Sequence, residues 1–137
     1  MERTPDFFRA VDRANLPGSL DIQPVEIGRD HAVLEMPIRP DHLNLLGSVH
    51  GGSVVALADT AAGYGTYANL PDGAEGFTTI ELKCNFIRAA GDGILSCRAK
   101  RLHQGKTTQV WDATVFEKAG GRKIAEFRCT QIILYPK

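Results

Sequence analysis

The chain has 137 residues, 43% of them hydrophobic and 23% charged, the size and make-up of one globular domain with a single core. Sixteen basic residues balance sixteen acidic ones, so no overall field draws the chain to a phosphate backbone or an anionic membrane, and nucleic acid is excluded as a main partner. The same composition excludes disorder away from the termini and leaves no room for a second domain, so residues 1–137 are read as one unit.

Residues Thr4 to Asn15 are expected to form a short amphipathic helix, with Thr4 as N-cap, Pro5 at the first helical position, and Phe7, Phe8 and Val11 as the apolar stripe. Pro17-Gly18 marks its end, and residues 1–18 lead into a core from 20 to 137. Two strand-like runs, Asp21 to Ile27 and His31 to Ile38, flank the turn Gly28-Arg29-Asp30 and read as a hairpin closed by Pro40. From Gly51 to about Asn69 the residues Val54, Val55, Ala58, Ala61 and Ala62 recur at helical spacing and predict the one long helix. After Pro71-Asp72-Gly73 come four β runs, Phe77 to Ile87, Ile94 to His103, Thr107 to Lys118 and Lys123 to Tyr135, parted by short glycine turns.

Connections this short favour antiparallel neighbours, so the fold class is α+β, an antiparallel sheet with one helix against its face. Ala56, Ala58, Ala61, Ala62, Gly63 and Gly65 keep that helix thin enough for a curved sheet to wrap it closely. The charged N-terminus lacks the apolar run of a secretory signal, and the stretch from Gly51 to Leu70 contains Asp59 and is too broken for a membrane span. Cys84, Cys97 and Cys129 are odd in number, lack CxxC spacing and fall in phase with apolar neighbours, which suits packing in a reducing cytoplasm rather than a disulfide or a zinc site. No metal is expected.

The polar residues that periodicity leaves unexplained gather in His42-Leu43-Asn44-Leu45-Leu46-Gly47-Ser48-Val49-His50-Gly51-Gly52 and at Asp59. Gly51-Gly52 at the start of the long helix leaves backbone N–H groups uncovered at the positive end of the dipole, either a tight turn or an oxyanion hole for a carbonyl gaining charge. Asn44 can orient a carbonyl or a water, or cap a turn in its own loop, and His50 is read in the same two ways. Asp59 is the sharper signal, because aspartate is a poor mid-helix residue and has no cationic partner three or four positions away. A carboxylate in partly apolar surroundings holds protons more tightly and so becomes a better base. Gly51 and Asp59 are separated by about 12 Å of helix axis, so cooperation between them requires a second copy related by a two-fold axis.

The run from Asn44 to Gly63, N-x-x-G-x-x-H-G-G-x-x-x-x-L-x-D-x-A-x-G, resembles the hotdog-fold acyl-CoA thioesterases of the phenylacetic-acid-degradation branch. The resemblance extends from about Leu20 to Tyr135 and implies a sheet wrapped around a central helix, side-by-side homodimers sharing one continuous sheet, and tetramers made of two dimers. By that resemblance Asn44 orients substrate and nucleophile, His50 precedes the oxyanion glycine Gly51, and Asp59 acts as base or nucleophile from the partner subunit. Thr79, with Thr78 as a fallback, matches the hydroxyl residue that positions the hydrolytic water. Arg88, Lys106 and Arg101 are the residues suggested for the coenzyme A moiety, which is part of the substrate, and no separate cofactor is implied. Tyr64, Tyr67 and Leu57 are considered for the acyl pocket.

Two rivals share the fold. A hydroxyacyl-thioester dehydratase carries D-x-N-P ahead of its histidine, whereas Asp41-His42-Leu43-Asn44-Leu45 has no proline after the asparagine. A non-catalytic acyl-CoA sensor has no need of both Gly51 and Asp59. The favoured reading is an acyl-CoA thioesterase, with the acyl class left open.

Overall fold

In the computed structural model, which describes residues 2–137, the small residues of the long helix set how closely the sheet can approach. That helix, α3, spans Gly51–Ala68, and α1 (Pro5–Val11) and the single turn α2 (Leu16–Ser19) precede it. The strands are β1 (Gln23–Ile27), β2 (His31–Pro37), β3 (Gly76–Phe86), β4 (Ile94–Gln104), β5 (Thr108–Glu117) and β6 (Lys123–Leu134). They form one six-stranded antiparallel sheet in the order β1-β2-β4-β5-β6-β3, and the sheet curls around α3. The α+β class and the element order expected from periodicity both hold.

The alternation of each strand turns one apolar set toward α3. Leu34 and Met36 on β2, Leu95 and Cys97 on β4, and Trp111 and Val115 on β5 are fully buried against the helix face of Leu57, Ala58, Ala61 and Ala62. At Gly65 the approach is closest, since a Cβ there would lie 2.4 Å from the Trp111 ring. Burial pushes the thiols of Cys97 and Cys129 upward, the latter to about 12, so both behave as small core hydrophobes.

Three local readings change. Helix α1 keeps its Thr4 cap, whose hydroxyl accepts from the Phe7 amide at 3.3 Å, but it stops at Val11. Asp12 caps its C-terminus and its carboxylate accepts a hydrogen bond from the Tyr64 hydroxyl. Pro17-Gly18 lies inside α2 instead of ending a helix, because proline is tolerated in a first turn where its missing N–H has no intrahelical use. Asp21 adopts a left-handed φ of 57°, so β1 begins at Gln23.

The larger correction concerns β3 and β4, which the short link between them suggested were neighbours. β4 instead pairs with β2, and β3 crosses to the far edge to pair with β6. Segment 87–93 makes that crossing possible by spending its main-chain groups on other elements. Ile87 N donates to Ile124 O at 2.8 Å, Ala90 O accepts from Val49 N at 2.7 Å, and Gly93 O accepts from Ile38 N at 2.9 Å. No helix among the described residues is long and apolar enough to cross a membrane.

Replacing Gly65 by alanine tests the fit of Trp111. The gain in helix propensity is at most about 1 kcal/mol, whereas overpacking a rigid buried ring costs about 1–3 kcal/mol. A lower thermal midpoint is expected for Gly65→Ala, and an unchanged or raised one would show that the indole can shift.

Candidate active site

The loop before α3 is built on His42, which has no exposed surface. Its Nδ1 accepts from the Arg39 amide at 3.0 Å and its Nε2 donates to Leu20 O at 2.7 Å, so the ring is a fixed neutral tautomer. Its carbonyl accepts from His50 N at 2.8 Å and from Ser53 Oγ at 3.1 Å, which ties the loop to the first turn of α3. Asn44 caps its own loop, with Oδ1 accepting from the amides of Leu46 at 2.9 Å and Ser48 at 3.2 Å. Its Nδ2 hydrogens make no bond among the described residues.

His50 is the N-cap of α3, and its Nδ1 accepts from Gly52 N at 2.8 Å, which leaves the ring proton on Nε2. The amides of Ser53 and Val54 reach back to His50 O at 2.9 and 3.2 Å. Of the first-turn donors, Gly51 N–H is left with no acceptor among the described residues, at the positive end of an 18-residue helix. It opens into a cleft of about 430 Å³ lined by Asn44, Ser48, Phe86 and Arg88.

Further along α3, one flank of the helix lies over β3, so that Gly51 faces the Phe86 ring and Gly63 the Phe77 ring. Asp59 lies between them on that flank. Thr79 Oγ1 is 3.2 Å from Asp59 Oδ1 and 2.6 Å from Gln131 Oε1. Half-buried, Asp59 has its proton affinity raised above the ordinary aspartate level by burial, and the Thr79 hydroxyl partly offsets that rise. Beside it lies a cavity of about 310 Å³ between α1 and α3, walled by Phe7, Phe8, Val11, Tyr64, Tyr67 and Phe77. Phe8 stacks on Tyr64 with ring centroids 4.2 Å apart, and Arg3 caps Tyr67 at 4.0 Å.

Within one chain these residues form two separate places. Gly51, Asn44 and Arg88 share the cleft, and Asp59 and Thr79 border the aromatic cavity. Thr78 is exposed on the opposite face of β3, and Leu57 is in the core, away from the cavity. Arg101 lies within β4 and Lys106 in the β4–β5 turn, and neither lines the cleft. Sequence reasoning passed over Gln131 and the wall contributed by α1. Gln131 was detectable as a polar residue in the inward phase of Phe127, Cys129 and Ile133.

A six-stranded antiparallel sheet wrapped around one long helix is the hotdog fold. Residues 46–124 match the sequence model of the thioesterase superfamily. The chain is 30% identical over 131 residues to 1,4-dihydroxy-2-naphthoyl-CoA hydrolase of Escherichia coli, covering 96% of this chain and 95% of that one. The PaaI protein from the phenylacetic acid degradation operon of Escherichia coli superimposes with a TM-score of 0.81 at 25% identity, over 91% of this chain and 89% of that one. A thioesterase of Haemophilus influenzae superimposes with a TM-score of 0.90 over 96% and 91% of the two chains, and at 22% identity that likeness speaks for the fold. The chain belongs to the thioesterase superfamily.

Since burial raises the Asp59 pKa, its ionised form weakens the fold at any pH above that raised value. Asp59→Asn should therefore melt higher than the unmodified chain at neutral pH. The difference should shrink on acidification and vanish below the ordinary aspartate pKa, where the carboxyl is protonated in both folded and unfolded states. A lower melting temperature at neutral pH would mean that the carboxylate is anchored by more than Thr79.

Proposed function

We propose that the protein hydrolyses an aryl-CoA thioester to the free acid and coenzyme A, at two equivalent sites on a homodimer, each pairing Gly51 of one chain with Asp59 of the other. The observation that carries this reading is the separation of the two groups. They project from one helix about 12 Å apart along its axis, into different cavities, so one thioester carbonyl cannot meet both within a chain. The edge strand β3 supports the pairing. Among the described residues its outer side has no partner strand, and Ile80, Leu82 and Phe86 on it are exposed. The dimer is the smallest unit that completes a site, and a dimer of dimers would add none of these groups.

In this reading Gly51 N–H polarises the thioester carbonyl, and Asn44 Nδ2 helps to fix the substrate while its Oδ1 holds the loop. His50 acts by shaping the helix start. The Asp59 carboxylate takes a proton from water as the water oxygen attacks the carbonyl carbon, or attacks that carbon itself. The C–S bond then breaks; on the first route the leaving thiolate takes the proton that Asp59 holds, and on the second it is protonated by solvent and water hydrolyses the Asp59–acyl anhydride to the free acid. Thr79 holds Oδ1 and leaves Oδ2 for the reaction. Of the three basic residues considered for coenzyme A, Arg88 is retained because it lines the Gly51 cleft. The acyl group is read as aromatic because the cavity beside Asp59 is walled by aromatic rings, in keeping with the naphthoyl thioester named for the Escherichia coli relative.

Thiol release from a panel of aromatic and aliphatic acyl-CoAs tests the reading. Turnover should favour aromatic thioesters, and Asp59→Asn should lower kcat by roughly a hundredfold or more. Binding without release would replace the hydrolase by a sensor. The acid limb of kcat/KM should lie above the ordinary aspartate pKa, and Thr79→Val should move it higher by removing the bond that favours the charged form.

The shared site has its own test. Gly51→Pro removes the amide hydrogen at a position where proline is tolerated. Mixing that inactive variant with Asp59→Asn and letting subunits exchange should restore about a quarter of full activity, since half of the dimers then carry one intact site. No recovery would place both groups' action within one chain.

A further inference from the structure

Gln131 sits on β6 with no exposed surface, directly across from Thr79 on β3 and from Gln109 on β5. Its neighbours in the same inward phase are Cys129 and Ile133, so nothing about packing asks for a carboxamide there. Gln109 is accounted for, because its Oε1 accepts from Trp111 Nε1 at 2.9 Å and its Nε2 donates to Asn69 O at 3.0 Å. Gln131 is not. With Oε1 toward Thr79, its Nε2 is a buried donor without any partner among the described residues.

The Thr79 hydroxyl then has one proton and two acceptors, Gln131 Oε1 at 2.6 Å and Asp59 Oδ1 at 3.2 Å. The nearer one would hold it, and Asp59 would lose it. Turning the carboxamide over by 180° leaves its shape unchanged and resolves both difficulties. Nε2 now donates to Thr79 Oγ1, and the single Thr79 proton is free to point at Asp59. One carbonyl oxygen is left unpartnered in place of an entire NH₂ group, the less costly defect in a buried site.

We propose that Gln131 is a positioning residue for hydrolysis, donating Nε2–H to Thr79 Oγ1 and thereby committing the Thr79 proton to Asp59 Oδ1. Gln131 touches no substrate. It acts through Thr79 on the orientation of the Asp59 carboxylate, and this rests on Asp59 being the base or nucleophile proposed above.

The two amide orientations make opposite predictions, which sets the experiment. Asp59 is titrated by carbon NMR in the unmodified protein, Gln131→Met, Gln131→Glu, Thr79→Val and the Thr79→Val/Gln131→Met double variant, with no substrate present. Steady-state kinetics on the best acyl-CoA run in parallel, and thermal melts confirm folding. If Gln131 donates, Gln131→Met loosens the Thr79 bond, the Asp59 titration moves up, and kcat falls roughly tenfold with KM nearly unchanged. Gln131→Glu, close in shape but accepting where the amide donated, should move both further in the same direction. The double variant should match Thr79→Val alone, because Gln131 acts only through that hydroxyl.

An Asp59 titration that stays put or moves down in Gln131→Met would mean that the amide accepts the Thr79 proton, and the proposal falls. Should Gln131→Met not fold, Gln131→Leu takes its place and is read in the same direction, because the charge of Gln131→Glu raises the Asp59 titration under either orientation. The titration needs no turnover. An Asp59→Asn variant with full activity would thus remove the catalytic reading while leaving the hydrogen-bond relay to be judged by the NMR shift.

Discussion

The distance between α3 and the sheet governs the rest of the structure. A helix presenting Ala58, Ala61, Ala62 and Gly65 inward lets the Trp111 ring approach its backbone, and the sheet closes around it at that distance. Once the helix lies so deep, its flank must run along β3, and Asp59 is carried into partly apolar surroundings. The same depth gives Asp59 a hydroxyl from the sheet, Thr79, as its one described hydrogen-bond partner. The perturbed proton affinity of the carboxylate is therefore a product of core packing.

The helix also separates the groups it positions. Its N-terminus offers an unpaired amide and its middle offers a carboxylate, with two full turns between them. A single chain thus keeps an incomplete group at each place: at Gly51 a donor with no protein acceptor among the described residues, and at Asp59 a partly desolvated charge. Such features persist where the surrounding structure over-determines them. His42 does that for the loop through five hydrogen bonds, while Thr79 and the strand behind it do so for Asp59.

Much of this was legible in the sequence, for physical reasons that differ by element. The spacing of Val54, Ala58, Ala61 and Ala62 located α3 to within a residue, and Asp59 stood out because a carboxylate conflicts with that small apolar face. Strand limits were close because alternation is a local property. Strand pairing is not local, which is why the short link after Phe86 suggested a neighbour that β3 does not have. In the sequence Phe7 and Phe8 mark the apolar stripe of a short helix. That they wall a cavity with Tyr64 and Tyr67 depends on a docking that periodicity does not encode. Gln131 could have been found by asking why a polar side chain interrupts an inward apolar phase, and Gln109 shows that this question also returns purely structural answers.

The donor at Gly51 is a main-chain group, and every amino acid except proline carries one. Point substitutions elsewhere can reshape the walls of the aromatic cavity, replace rings on α1 or alter Arg88, and the Gly51 amide persists as long as the loop and the first turn hold their course. Most of the cavity wall, by contrast, is side chain, and half of its aromatic and aliphatic lining comes from a seven-residue helix at one end of the sequence. In the proposed reaction, polarisation of the carbonyl and selectivity for the acyl group are thus stored in different parts of the polymer, one in backbone conformation and the other in exchangeable side chains. A lineage built on this plan can drift from one acid to another through a short N-terminal segment without first surrendering its chemistry.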